Sequence, residues 1–339
     1  MATAILNTVT GSESFAYTIS TPKDASARNI VQGLPTILLL HPVYIASVIF
    51  HPIYADSRLR RFNLVAMDLR GHGGTSATAE DTYDSAVAAQ DVLKLMETLK
   101  ISTCHLVGVS MGASAALQMA ILAPEKVLSL FMLSPPPVTE PVEGLEGRQE
   151  IANYWVQALQ NSDDIDHTLL GDSVFGGLQL TFNNIETPLI KALTAATFKA
   201  CRHNWSGENL HVIDTVTVKY YRNQPPLCEI ALRRIRCPVA LVHCSEDLVY
   251  PEPCAQELLA VFHDANIEVS LHSLEGAPHL GNVTHCDETN TLLYNFVLDH
   301  SLDQDLPPIP SSVQSPFEAE LVALGLTDGD YDLVDSESD

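Results

Sequence analysis

The stretch Leu106-Val107-Gly108-Val109-Ser110-Met111-Gly112-Ala113-Ser114-Ala115-Ala116 limits what this chain can fold into more than any other. Its left half is apolar and β-branched, like a buried strand. Its right half is rich in Ala, like a helix, and Gly-x-Ser-x-Gly stands at the joint. A strand that turns straight into a helix brings two backbones close together, so the residues two before and two after the turn must be small. Gly108 and Gly112 meet that need, and Ser110 takes the strained apex. A five-residue match alone is equally an ordinary glycine-containing turn, so the rest of the chain must supply the partners a reactive Ser110 would need.

The surrounding pattern is that of a helix-flanked parallel sheet. Ile5 to Val9 and Phe15 to Ser20 read as an opening hairpin. Thr36 to Leu40, Asn63 to Met67 and Val127 to Leu133 are continuous apolar runs, as expected of strands buried on both faces. Between them, Thr82 to Lys100 carries Val92, Leu95, Met96 and Leu99 at helical spacing. The sheet resumes at Pro238 to His243. A helix follows from Pro253 to His263, a strand from Ile267 to Leu271 and a last helix from Glu288 to Asp299. The spacing predicts an α/β fold with a mostly parallel central sheet, residues 1–134 and 237–300 forming its core. From Ser134-Pro135-Pro136-Pro137 to Arg236 the strand runs stop and helical patterns dominate, so 135–236 is expected to be an inserted helical lid.

Charge narrows the partners. The chain of 339 residues carries a formal charge of −24, which disfavours binding a phosphate backbone and excludes nucleic acid as a main partner. Ten of the acidic residues, with no Lys or Arg, lie in 301–339, an acidic and Pro/Ser-rich tail expected to be mostly without structure. Phe317 to Leu326 within it is a candidate short helix. No apolar run is long enough to span a bilayer, and Met1 to Asn7 does not open a secretory signal, so a cytoplasmic address is expected. The seven cysteines include no C-x-x-C pair and read as reduced thiols; Cys228, Cys237, Cys244 and Cys254 match no zinc spacing. The oligomeric state is not readable.

A serine hydroxyl becomes a useful nucleophile only when a base takes its proton, and an imidazole base needs an acceptor on its other nitrogen. For the acceptor, Glu246 and Asp247 both follow the strand ending at His243. Asp247 is favoured by the Pro251 that opens the next helix, with Glu246 the alternative. Among thirteen histidines, His279 in Leu274-Glu275-Gly276-Ala277-Pro278-His279 lies just after the last strand, where it can reach back to Ser110. His272 and His285 are the competitors. A tetrahedral intermediate also needs two donors for its oxygen. The backbone N–H of Met111 is one, and because Pro42 has none, Val43 is the candidate for the other. Tyr44 could line the same pocket. Arg70 and His72 read as builders of the turn after Met67, and His203-Asn204-Trp205 as either packing or a substrate contact.

Taken together, Leu40-His41-Pro42, Asp68-Leu69-Arg70-Gly71-His72-Gly73-Gly74-Thr75-Ser76, Gly108-Val109-Ser110-Met111-Gly112, Asp247 to Pro251 and Gly276-Ala277-Pro278-His279 resemble the successive signatures of the α/β-hydrolase superfamily. They look most like its esterase, enol-lactonase and cofactor-free haloperoxidase-type branch. The resemblance runs from Ile5 to His300. It implies Ser110 as nucleophile, Asp247 as orienting acid and His279 as base, with no metal and no organic cofactor. Three positions depart from the family pattern: Pro42 and Cys244 replace expected glycines, and Pro278 replaces the glycine that usually precedes the histidine.

The expected activity is hydrolysis of an ester, lactone or thioester of a small to medium, moderately hydrophobic molecule through an acyl-enzyme. Acyl transfer, carbon-carbon bond hydrolysis with the same triad, and a low-turnover ligand-binding receptor are the alternatives.

Overall fold

The computed structural model describes residues 1–161, 164–301 and 305–327. Eight strands form one sheet: β1 (Ala2–Thr8), β2 (Gly11–Ser20), β3 (Thr36–Leu40), β4 (Asn63–Met67), β5 (Cys104–Val109), β6 (Val127–Leu133), β7 (Val239–Cys244) and β8 (Val269–Leu274). Their spatial order is β1-β2-β4-β3-β5-β6-β7-β8. The β1–β2 and β2–β4 pairs are antiparallel and the rest are parallel. Every residue of β3, β4, β5 and β7 is buried, which is why these strands are continuous apolar runs rather than alternating ones.

Helix α1 (Ser85–Leu99) and helix α2 (Met111–Leu122) pack on each other beside the sheet. Asp84 caps α1 by accepting from the Val87 N–H, and Lys100 ends it in the left-handed conformation. Between β6 and β7 the chain runs through α3 (Val142–Leu159), α4 (His167–Phe182) and α5 (Pro188–Asn204), then a continuous helical stretch from Val212 to Arg222. No strand interrupts this insertion among the described residues. After β7 come α6 (Glu252–Asp264), β8 and α7 (Cys286–Asp299).

Two expectations shift. The last strand starts at Val269 rather than Ile267, because Asn266 turns left-handed (φ 58°) and the Ile267 N–H closes back on the Phe262 carbonyl. More consequential is the acidic C-terminal segment, expected to be mostly without structure. Of it, residues 305–327 lie against the core, and the rest of the tail lies outside the described residues. Arg61 Nε donates to the Pro307 carbonyl at 2.6 Å and Arg60 Nη1 to the Gln314 carbonyl at 2.7 Å. Phe317, Leu321 and Leu326 are buried, and the helix α8 (Glu318–Ala323) packs against α5. Burying side chains of this kind stabilises by about 1.5–3 kcal/mol each, enough to order a segment whose charge alone favours solvent. Among the described residues no helix is long and apolar enough to cross a membrane.

Candidate active site

Three of the non-glycine residues with positive φ stand at adjacent strand ends: Tyr44 (69°) after β3, Ser110 (50°) after β5 and Ser134 (45°) after β6. Such backbone costs roughly 1–2 kcal/mol per residue, so three together must be held by their surroundings. At Ser110 the surroundings are visible. A Cβ on Gly108 would stand 2.5 Å from the Ala113 Cα, and one on Gly112 would stand 2.1 Å from the Leu40 carbonyl oxygen. Only glycine permits this strand, turn and helix, and the close approach of α2 to the end of β3 brings residues 41–44 beside the turn. The Ser110 N–H donates to the Leu133 carbonyl at 2.9 Å, fixing the apex to β6.

From the turn, a hydrogen-bonded chain crosses three loops. His279 Nε2 lies 2.8 Å from Ser110 Oγ, and Nδ1 lies 2.7 Å from Asp247 Oδ2. An ionised carboxylate only accepts, so Nδ1 carries the ring hydrogen and Nε2 is free to accept from the serine hydroxyl. The other oxygen of Asp247 accepts from the Val249 and Tyr250 N–H groups at 2.8 and 2.9 Å. The His279 carbonyl is tied down by Ser134 Oγ at 2.7 Å. All three side chains are buried.

The competitors go elsewhere. Glu246 is exposed, His272 faces Ser270, and His285 pairs with Thr284. Met111 opens α2, so its N–H is among those at a helix start with no intrahelical acceptor, and Val43 lies in the adjoining loop. Pro42, one of the departures, offers its carbonyl to His41 Nδ1 at 2.7 Å while His41 Nε2 accepts from the Leu69 N–H at 2.8 Å. Burial depresses the His41 pKa to about 4, so this neutral ring is a rivet between the loops after β3 and β4. Asp68 does similar work, accepting from the Ser47 and Gly74 N–H groups; burial raises its pKa. Arg70 forms a buried two-pronged ion pair with Asp91 of α1 at 2.6 and 2.9 Å.

The insertion is fastened to the loop after β4. Trp205 Nε1 donates to the Gly71 carbonyl at 2.8 Å and Asn204 Nδ2 to the Gly73 carbonyl at 3.0 Å, pinning the end of α5 to the loop after β4. An almost wholly apolar cavity of about 70 Å³ lies inside, among Tyr44, Ile151, Trp155, Leu178, Phe198 and Trp205.

Sequence reading missed a polar cluster beside the serine. Arg148 of α3, 2% exposed, stacks 3.9 Å from the centre of the Tyr221 ring, ion-pairs with Glu140, and donates from Nη2 to the Tyr250 hydroxyl at 2.8 Å. Tyr250 in turn packs on His279, ring centres 5.4 Å apart. Glu140 and Arg148 are eight residues apart, but Tyr221 and Tyr250 lie far along the chain, and no motif links the four.

Comparison with known proteins settles the family. Residues 30–225 match the family described by the alpha/beta hydrolase fold. The chain belongs to that family. Among curated relatives, it is 37% identical over 105 residues to the dihydrolipoyllysine-residue acetyltransferase component of the acetoin cleaving system of Pseudomonas putida, a stretch that is 30% of this chain and 27% of that protein. The chain thus spans well under half of that relative. A 25% identity over 247 residues, 70% of this chain and 77% of the other, links it to an Escherichia coli protein named provisionally as the carbamate hydrolase RutD. Among solved structures, the enol-lactonase of Burkholderia xenovorans LB400 superposes with a TM-score of 0.67 at 18% identity, covering 88% of this α/β-hydrolase and 100% of the lactonase. An N-acyl homoserine lactone degrading enzyme, Est816, superposes at 0.61 with 22% identity, covering 86% and 100%. At these identities the structures share the fold. Among the described residues no group of three His, Cys, Asp or Glu could hold a metal ion.

Proposed function

We propose that this α/β-hydrolase is a serine hydrolase that cleaves an ester, lactone or thioester through an acyl-enzyme, with residues 135–236 as its lid. The observation that carries the reading is the continuous chain from Ser110 Oγ to His279 to Asp247, at 2.8 and 2.7 Å. Ser110 Oγ attacks the carbonyl carbon as its proton passes to His279 Nε2. Asp247 holds the ring in the accepting tautomer and stabilises the imidazolium. The N–H groups of Met111 and Val43 are the donors for the developing oxyanion. Collapse expels the alcohol or thiol oxygen or sulfur, which takes the proton from His279 and leaves the acyl group on Ser110. Water then gives a proton to the same nitrogen, attacks the acyl carbon and releases the acid, and Ser110 regains its proton.

The apolar cavity that Tyr44 lines suits a moderately hydrophobic acyl or alkyl group, and similar proteins are named an enol-lactonase and, provisionally, a carbamate hydrolase. The test is labelling with a fluorophosphonate probe. The wild type is expected to label and Ser110→Ala to lose the label, whereas undiminished labelling of the variant refutes the assignment. A screen across acyl esters of graded length, aryl esters and lactones then identifies the substrate class.

A further inference from the structure

Two phenol groups in the Arg148 cluster form no hydrogen bond of good geometry, although Ser110 and Arg148 lie close to one of them, Tyr221. The hydroxyls of Tyr221 and Tyr44 are buried and have no hydrogen-bond partner among the described residues. Tyr221 is 2% exposed. Its neighbour Tyr220 holds the segment against the first turn of α2, within 2.9 Å of Ser114 Oγ and donating to the Met111 carbonyl at 3.3 Å. That places the Tyr221 hydroxyl near both Ser110 and Arg148. A π-helical turn, Thr215–Lys219, runs directly into Tyr220 and Tyr221. Such turns are rare and are frequently found at functional sites, where they re-aim the residues that follow.

A buried donor without an acceptor is destabilising, and next to a reactive serine an oxygen of the bound substrate can supply the missing acceptor. The charges nearby indicate what kind of atom that is. Arg148 is already engaged by Glu140, and Asp247 adds a further negative charge behind His279. With no cation left over in this cluster, an anionic group would enter unfavourably, whereas a neutral oxygen would accept from the phenol at little electrostatic cost. The guanidinium stacked 3.9 Å from the Tyr221 ring centre also draws electron density from the ring and strengthens its O–H as a donor.

We infer that Tyr221 is a specificity-determining residue that donates to a second, uncharged oxygen of the substrate, so that the enzyme selects esters or lactones bearing an ether, hydroxyl or carbonyl oxygen close to the scissile carbonyl. Tyr44 lines the apolar cavity that, in this reading, takes the hydrocarbon part. This rests on the reading of Ser110 as nucleophile, because the second oxygen is placed relative to the serine.

The test uses a matched pair, p-nitrophenyl methoxyacetate and p-nitrophenyl butyrate, which differ by one ether oxygen in place of a methylene. Each kcat/KM is divided by the ester's rate with hydroxide. The wild type is expected to favour the methoxyacetate, and Tyr221→Phe to lower the methoxyacetate-to-butyrate ratio roughly tenfold. Tyr221→Phe is also expected to raise Tm by about 2 °C, since it removes a hydroxyl that the free protein leaves unpaired. An unchanged ratio overturns the inference, as does an equal loss on both esters together with a lowered Tm, which would mark Tyr221 as packing. If neither ester turns over, the inactivation rates of methoxymethyl and propyl phosphonofluoridates supply the same ratio. Labelling that survives Ser110→Ala removes the nucleophile and this inference together. Labelling that depends on Ser110 with an unmoved ratio removes this inference alone.

Discussion

At the carboxyl ends of β3, β5, β7 and β8 the backbone is tightly fixed, whereas the insertion and the C-terminal segment hold on through a handful of side chains. In the strand-end loops the backbone itself makes the fit. Gly112 touches the Leu40 carbonyl, Ser110 sits at positive φ, and Asp247 is fixed by two backbone N–H groups. In these two segments the fit is made by Trp205 and Asn204, by Arg60 and Arg61, and by Phe317. Backbone contacts fail abruptly when one atom is added, and side-chain contacts fail by degrees. The loops are therefore expected to be intolerant and the two segments adjustable.

The sharpest challenge to that contrast is at Asp247. Asp247→Asn should lower kcat by about 10³-fold or more while leaving the fold intact, since the ring of His279 loses its fixed tautomer. The exposed Glu246→Gln should leave kcat within about twofold, and rates on any active ester distinguish the two. Next comes Gly112→Ala. Its Cβ would meet backbone 2.1 Å away, so a loss of about 4 kcal/mol or more is expected in urea unfolding, or no folded protein at all. In the C-terminal segment Phe317→Ala should cost about 3–5 kcal/mol, less if the segment detaches and collapses elsewhere; a melt unchanged from wild type would show that 305–327 is a passive appendage.

A smaller effect is expected from pH. His41 and His72 are buried as neutral rings, with pKa values lowered to about 4 and about 3. Between those values and about 6.5 the unfolded chain binds protons that the native state refuses. Their contribution is thus complete above pH 6.5 and is lost as pH falls, so Tm should decline from pH 7 to pH 5; Asp68, whose carboxyl is raised, acts in the opposite sense where it titrates. The smallest effect has the opposite sign. Gly171, in α4, has open space where a Cβ would go, so Gly171→Ala should stabilise by about 0.5–1 kcal/mol. The same substitution made in the two regions would then move stability in opposite directions.

The same contrast explains how far the sequence could be read. Backbone-driven loops leave local signatures: a glycine where a Cβ cannot fit, an acid two or three residues before the N–H groups it caps, a histidine just past a strand. The strand-end positions of Ser110, Asp247 and His279 were legible for that reason, and so were the bounds of β3, β4 and β6. The Arg148–Glu140–Tyr221–Tyr250 cluster was not. Its members come from three separate stretches of chain that packing brings together, and a buried arginine looks like an exposed one in sequence. Nor was the docking of 305–327, where a local excess of acid hid three apolar residues with a groove to fill.

The two indoles that fasten the insertion carry one more consequence. Trp155 Nε1 donates to the Trp205 carbonyl, Trp205 Nε1 donates to the loop after β4, and the ring centres are 5.9 Å apart. These are the only two tryptophans in the chain. Fluorescence excited beyond the tyrosine absorption band therefore arises entirely from this seam, and a stopped-flow trace on mixing with a ligand would time any change there, free of signal from the ten tyrosines.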